Sequence, residues 1–133
     1  MTQVVVDTDV VSFLFKDHPI GSRYHPDLAG RVTLISFMTV AELERWGIQF
    51  QWGRARRSRL HSHLRRFTVV PSSPDLCQRW AEVTVAAQAS GRRIECADAW
   101  IAATALLYNA PLITHNRNDY LAVPGLKLIS HSV

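Results

Sequence analysis

The sequence predicts an α/β protein: one domain over residues 1–133, an α/β/α sandwich around a mainly parallel central sheet of about five strands. Three observations lead there. Short apolar runs at residues 4–6, 32–37, 68–70, 112–114 and 126–129 have the length of buried strands. Segments of helical periodicity separate them. Helices on both faces bury the strands of a sheet, and that arrangement favours parallel pairing. At this length a chain buries a substantial core. Apolar residues make up 47% and charged residues 20%, which suits a folded globular chain and excludes disorder.

The elements follow in order. Val4, Val5 and Val6 form a buried strand that ends at Asp7. Thr8 or Asp9 is placed to cap a helix running to about Lys16. Residues 17–30 are rich in Pro, Gly and His and read as a loop or broken helix. After the second strand, Thr39 is the expected cap of a helix with Val40, Leu43 and Trp46 on one face, and Glu42 then falls in its first turn. Gly47 and Gly53 predict a break before a basic helix over residues 54–66, where Leu60 and Leu64 make an i,i+4 apolar pair. Ser73 caps a long helix with Pro74 at its first position, and Gly91 closes that helix. Residues 97–109 form an Ala-rich helix that begins near Asp98.

The charge balance is +4, from fifteen Lys and Arg against eleven Asp and Glu. It is uneven. No acid lies between Glu44 and Asp75, while that stretch holds Arg45, Arg54, Arg56, Arg57, Arg59, Arg65 and Arg66. Guanidinium groups match phosphate oxygens two at a time, so this segment is a candidate RNA-binding face, with Arg54, Arg56, Arg57 and Arg59 at its centre. A solvated face or a docking surface for an acidic protein is the plainer reading. Cys77 and Cys96 have no metal or redox spacing and read as packing residues. The first apolar run is too short for a signal peptide and no stretch is long enough to span a membrane, so a soluble, cytoplasmic protein is expected.

Against this basic background four acids stand out: Asp7, Glu42, Asp98 and Asp119. Each follows a strand or opens a helix. In parallel sheets ligands bind beyond the carboxyl ends of the strands, so one edge can gather all four. At about 4 Å and an effective dielectric near 20, each close pair of carboxylates repels by roughly 4 kcal/mol. A cluster of this kind takes up protons or a cation. All-oxygen ligands select Mg²⁺ or Mn²⁺ where phosphate completes the shell, and that chemistry hydrolyses phosphodiesters. Each acid also has a plain role: a helix cap for Asp98, a turn for Asp7, dipole complementarity for Glu42 and loop chemistry for Asp119. Among the histidines His115 is nearest the expected crevice. The four tryptophans read as core or dimer contacts, with Trp52 the candidate for base stacking.

These residues resemble, over essentially the whole chain, the motifs of the PIN-domain nucleases, and within them the VapC-type toxins of toxin–antitoxin pairs. The matching segments are residues 4–12 (VVVDTDVVS), 39–43 (TVAEL), 97–105 (ADAWIAATA) and 114–120 (THNRNDY). The resemblance implies a Mg²⁺- or Mn²⁺-dependent endoribonuclease with Asp7, Glu42, Asp98 and Asp119 as ligands and water activators. It implies support from Thr114 and Asn116, a lesser polar contribution from Ser12, a homodimer, and a VapB-type antitoxin partner. Asp9 stands where the family usually has Asn, Tyr120 where it usually has Phe, and Glu95 is an additional acid before Asp98. The alternatives are a non-catalytic RNA-binding or regulatory module of the same fold, and a haloacid-dehalogenase-like phosphatase using Asp7 and Asp9. The second lacks a well-placed lysine and a late pair of acids.

Overall fold

The structure, a computed structural model, describes residues 2–132. Five strands form one sheet: β1 (Gln3–Val6), β2 (Val32–Ser36), β3 (Thr68–Val70), β4 (Leu112–Ile113) and β5 (Leu128–Ile129). Their order is β3-β2-β1-β4-β5, and every pair is parallel. The helices are α1 (Thr8–Phe15), α2 (Pro19–Ser22), α3 (His25–Leu28), α4 (Phe37–Gln49), α5 (Arg54–Leu64), α6 (Pro74–Ala89) and α7 (Cys96–Leu107), followed by a 3₁₀ turn at Arg117–Tyr120. The expected mainly parallel sheet is wholly parallel.

Alternation along β1 divides the core. Successive side chains of a strand point to opposite faces. Val5 joins Leu34, Val70, Leu76, Val83 and Ile101 in the layer under α6 and α7. Val4 and Val6 join Ile35, Ile113, Val10, Leu43, Leu60 and Leu64 in the layer under α1, α4 and α5. Three consecutive valines, all fully buried, are therefore what a central strand covered on both faces requires.

β1 lies at the middle of the sheet, with the chain winding outward through β2 and β3 on one side and through β4 and β5 on the other. The carboxyl ends of β1 and β4 border the point where that winding reverses, the usual position of a ligand crevice in an open parallel sheet. Asp7 follows β1 and Thr114 follows β4, so both arrive at this point through strand pairing, Val6 standing beside Ile113.

Several local readings differ from the structure. Asp7, not Thr8 or Asp9, caps α1, its carboxylate accepting from the Thr8 N–H. Ser36 caps α4 by accepting from the Met38 N–H, and Thr39 lies buried within the helix. Because α4 opens at Phe37, Glu42 falls in its second turn rather than its first. The chain turns into the helix directly from β2, so the hydroxyl at the strand end reaches the free amides before Thr39 can. Gly47 does not break α4; it lies where the Trp52 and Arg57 side chains pack against the helix. The break comes at Phe50–Gly53, with Gln51 in the left-handed region. Glu95, not Asp98, occupies the cap position of α7. The Ser73–Pro74 start and the Gly91 end of α6 stand as expected, Gly91 taking φ 72°. Residues 17–30 form the short helices α2 and α3. Cys77 and Cys96 are free and exposed, so neither is a packing residue; Cys77 lies in the first part of α6 and Cys96 opens α7.

The revised cap is testable. Ser36→Ala should destabilise the protein by about 1 kcal/mol, read as a lowered urea midpoint with unchanged slope; a wild-type midpoint would return the capping role to another residue.

Candidate functional site

Asp7 is the centre of the site. Its side chain is buried, with 5% exposure, and three donors surround it. The Thr8 N–H donates to Oδ1 at 2.7 Å. The Thr114 hydroxyl donates to Oδ2 at 2.7 Å and the Tyr120 hydroxyl to the same atom at 3.0 Å. The Tyr120 hydroxyl also lies 3.4 Å from Oδ1 of Asp98. One phenol oxygen thus stands between a carboxylate from β1 and a carboxylate from α7.

Glu42 enters from α4. Its Oε1 accepts from the Thr8 hydroxyl at 2.7 Å, and that hydroxyl also lies 2.9 Å from Oγ1 of the buried Thr39. Asp9 faces the loop after β4. Its Oδ2 accepts from the His115 N–H and from the Asn116 amide, each at 3.0 Å, while Oδ1 accepts from the Val10 N–H at 2.7 Å. The Asn116 N–H is held in turn by the Thr114 hydroxyl at 3.1 Å. Asp119, on the exposed 3₁₀ turn, sits close enough to raise the pKa of both Asp9 and Asp98 by repulsion.

Electrostatic repulsion couples the group. Burial first, then the charge of Asp9, pushes Asp7 up to about 7 despite its three hydrogen bonds. Burial, then Asp7, Asp119 and Glu42, pushes Asp98 up to about 7. Asp9 rises to about 6, chiefly through burial. Tyr120 is buried among these acids, so its proton is held far above the usual tyrosine range and its hydroxyl is a neutral donor. Shifts of this size arise where like charges share a poorly solvated space, and they mark functional sites.

The four expected acids therefore converge, together with Thr114 and Asn116. Asn116 acts on Asp9 rather than directly on the four. Ser12 is buried one turn along α1 from Thr8, and its side chain makes none of the hydrogen bonds just described. Glu95 stays outside, exposed and 3.6 Å from Arg93. His115 supports the loop through its backbone, and its ring Nδ1 meets the Tyr24 hydroxyl at 2.6 Å. Tyr120 and Asp9 also join the cluster; the sequence marked both as departures from the family pattern, and Asp9 also as a helix cap or a phosphatase acid. Tyr120 carried one signal, a hydroxyl on a residue that the core pattern would fill with an apolar ring.

The carboxylates gather within Coulomb range without closing on one point: among the described residues, no three His, Cys, Asp or Glu side chains form a ready-made metal-holding group. Their oxygens are turned instead onto hydroxyl and amide donors. The donor chemistry nevertheless fits a hard divalent cation, being all oxygen and crowded with negative charge. Glu42 is half-buried and Asp119 exposed.

The arginine segment forms α5. The Arg56 guanidinium lies 4.2 Å from the Trp52 ring centroid and 5.9 Å from that of Phe15. Arg56 is therefore partly engaged by its own protein, and Trp52 is covered on that face. Arg54 and Arg59 are exposed. His61 pairs with Glu44 at 2.9 Å, and His63 reaches the Val11 carbonyl at 3.3 Å. Trp80 and Trp100 stack at 5.1 Å between α6 and α7.

The family model of the PIN domain matches residues 4–125. The chain belongs to the PIN-domain family. It is 30% identical to Ribonuclease VapC4 of Mycobacterium tuberculosis over 112 residues, covering 82% of this chain and 85% of that one. It is 28% identical to Ribonuclease VapC1 of Haemophilus influenzae over 125 residues, 92% of this chain and 93% of the relative. Among solved structures, VapBC-1 from nontypeable Haemophilus influenzae superposes with a TM-score of 0.83 at 27% identity, covering 97% and 98% of the two chains. VapBC2 from Rickettsia felis, bound to a DNA fragment from their promoter, gives 0.85 at 21% identity, again over 97% and 98%; that likeness concerns the fold. The PIN match displaces the haloacid-dehalogenase-like alternative. Among the described residues no helix is long and apolar enough to cross a membrane.

The raised carboxylates fix a sign. A group with a pKa of about 7 when folded and 3.8 as its ordinary value binds more protons in the folded state, so its stabilisation is full below about 4 and is lost as pH rises through 7. His63 and His115, both lowered first by burial, pull the other way below about 6.5. The comparison of Asp98→Asn with wild type cancels the histidines. In EDTA at pH 8 the variant should melt higher, on the order of 5 °C, and the gain should shrink towards pH 5. Equal melting temperatures at both pH values would mean that Asp98 is not crowded by its neighbours.

Proposed function

We propose that this protein is a metal-dependent endoribonuclease, the toxin of a VapBC-type pair, acting in the cytoplasm as a homodimer restrained by a VapB-type antitoxin. One observation carries the catalytic part: the buried Asp7 at the reversal point of the sheet is crowded by Asp9 and Asp98, and Asp98 in turn by Asp119 and Glu42. A helix cap or an ordinary turn residue has no need of such acidic neighbours. The ribonuclease names of the relatives support the substrate class, and the similarity to VapBC-5 of Mycobacterium tuberculosis, a member of the VapBC family of toxin–antitoxin systems, supports the partner.

In this reading Asp7, Glu42, Asp98 and Asp119 would hold Mg²⁺ or Mn²⁺. Such an ion, when bound, lowers the pKa of water and stabilises the departing oxygen of a phosphodiester. The chain's own residues prepare the place. Thr114 fixes the orientation of Asp7, Thr8 aims Glu42, and the bonds from Asp9 to His115 and Asn116 hold down the loop that carries Asp119. Glu42 and Asp119, partly or fully open to solvent, can accept a proton from an attacking water. The exposed arginines of α5 supply a phosphate-attracting face beside α1.

Purified protein should cut structured RNA in Mg²⁺ or Mn²⁺ and lose that activity in EDTA. Asp7→Asn should lower kcat/KM by about 100-fold or more, the several kcal/mol expected of the metal-ion contribution, while RNA is still bound. RNA binding without cleavage, unchanged by Asp7→Asn, would instead make the protein a non-catalytic RNA-binding module. Charge reversal of Arg54 and Arg59 should weaken RNA binding and flatten its dependence on salt; an unaltered salt slope would assign α5 to a protein partner.

A further inference from the structure

Tyr120 has a place in the site that packing does not explain. Its ring is 1% exposed and belongs to the core layer under α6 and α7, where Phe would fill nearly the same space. The hydroxyl, however, is directed out of that layer into the acid cluster. It lies 3.0 Å from Oδ2 of Asp7 and 3.4 Å from Oδ1 of Asp98. Those carboxylates come from separate elements, one after β1 and one in the first turn of α7, and no backbone hydrogen bond joins the two segments directly. Tyr120 is itself placed by the 3₁₀ turn that also carries Asp119. A single side chain therefore touches two of the acids and shares a turn with a third.

A carboxylate offers about four lone-pair positions. Three on Asp7 are taken by Thr8, Thr114 and Tyr120, and the remaining one is on Oδ1. The hydroxyls thus determine which way the Asp7 carboxylate faces, and Tyr120 relates that direction to Asp98. Partners that hydrogen-bond to ligating carboxylates orient them, and their loss typically reduces metal affinity by 10–100-fold.

We propose that Tyr120 is a positioning residue: its hydroxyl bridges Asp7 and Asp98 and sets the relative orientation in which the two carboxylates receive a divalent cation. This rests on the nuclease reading above.

The test is Mn²⁺ binding to full-length Tyr120→Phe and wild type, followed by the loss of the free Mn²⁺ paramagnetic resonance signal, with circular-dichroism melts in EDTA alongside. Phe retains the ring, so the variant should melt as a folded protein. Its Mn²⁺ affinity should fall about 10-fold. Equal or tighter Mn²⁺ binding by Tyr120→Phe overturns the assignment while leaving the nuclease reading intact. Loss of the folded melting transition also overturns it, by making the hydroxyl a requirement of the fold. Wild-type protein that binds no Mn²⁺ overturns both.

Discussion

A carboxylate held almost out of water at the end of the central strand is the constraint around which this molecule is arranged. Asp7 follows three fully buried valines, so its position is set by the sheet and cannot relax towards solvent. Burying such a group costs several kcal/mol unless donors surround it. The fold supplies them from three sources: the first amide of α1, the hydroxyl that follows β4, and a phenol from the 3₁₀ turn. The last two lie more than 100 residues from Asp7 in the chain and reach it because β4 pairs with β1.

Those donors do not neutralise the site. Burial and repulsion still raise Asp7 and Asp98 to about 7. The protein retains an arrangement that is unfavourable by itself, as sites that bind or transform a ligand commonly do. The surrounding architecture tolerates this because the two apolar layers are continuous on either side of the sheet, and the polar cluster is confined to the sheet's carboxyl edge. The basic helix α5 packs beside α1 without an ion pair to the four acids; the contact of Arg56 is with aromatic rings. Negative and positive features thus remain separate.

The hydroxyl-bearing residues form a second level of organisation. Thr8 links Glu42 to Thr39, Thr114 links Asp7 to the Asn116 amide, and Tyr120 links Asp7 to Asp98. Neutral donors suit this purpose. They satisfy carboxylate oxygens without forming the tight ion pairs that arginines would impose. The sheet topology accounts for where Asp7 lies; these hydroxyls account for how Asp7, Glu42 and Asp98 are held.

The sequence alone determined the α/β class and the five strand positions, and it pointed to the four acids that the fold brings within Coulomb range. Those features depend on local patterns: runs of buried residues, helical spacing, and acids placed at strand ends where parallel sheets gather their ligands. It also determined the Ser73–Pro74 start of α6, because capping chemistry acts within one turn. Tertiary structure decided the rest. Which hydroxyl caps α4 depends on how abruptly the chain leaves β2, and that geometry is absent from composition. Cys77 and Cys96 look like interior residues until the helices are set on the sheet with those positions outward. Tyr120 and Asp9 differ little from Phe and Asn in shape, so their importance appears only when β4 lies beside β1 and brings the final loop against the start of α1. A side chain's pattern in sequence reports which face it occupies; the partner it meets there is fixed by pairing between distant segments.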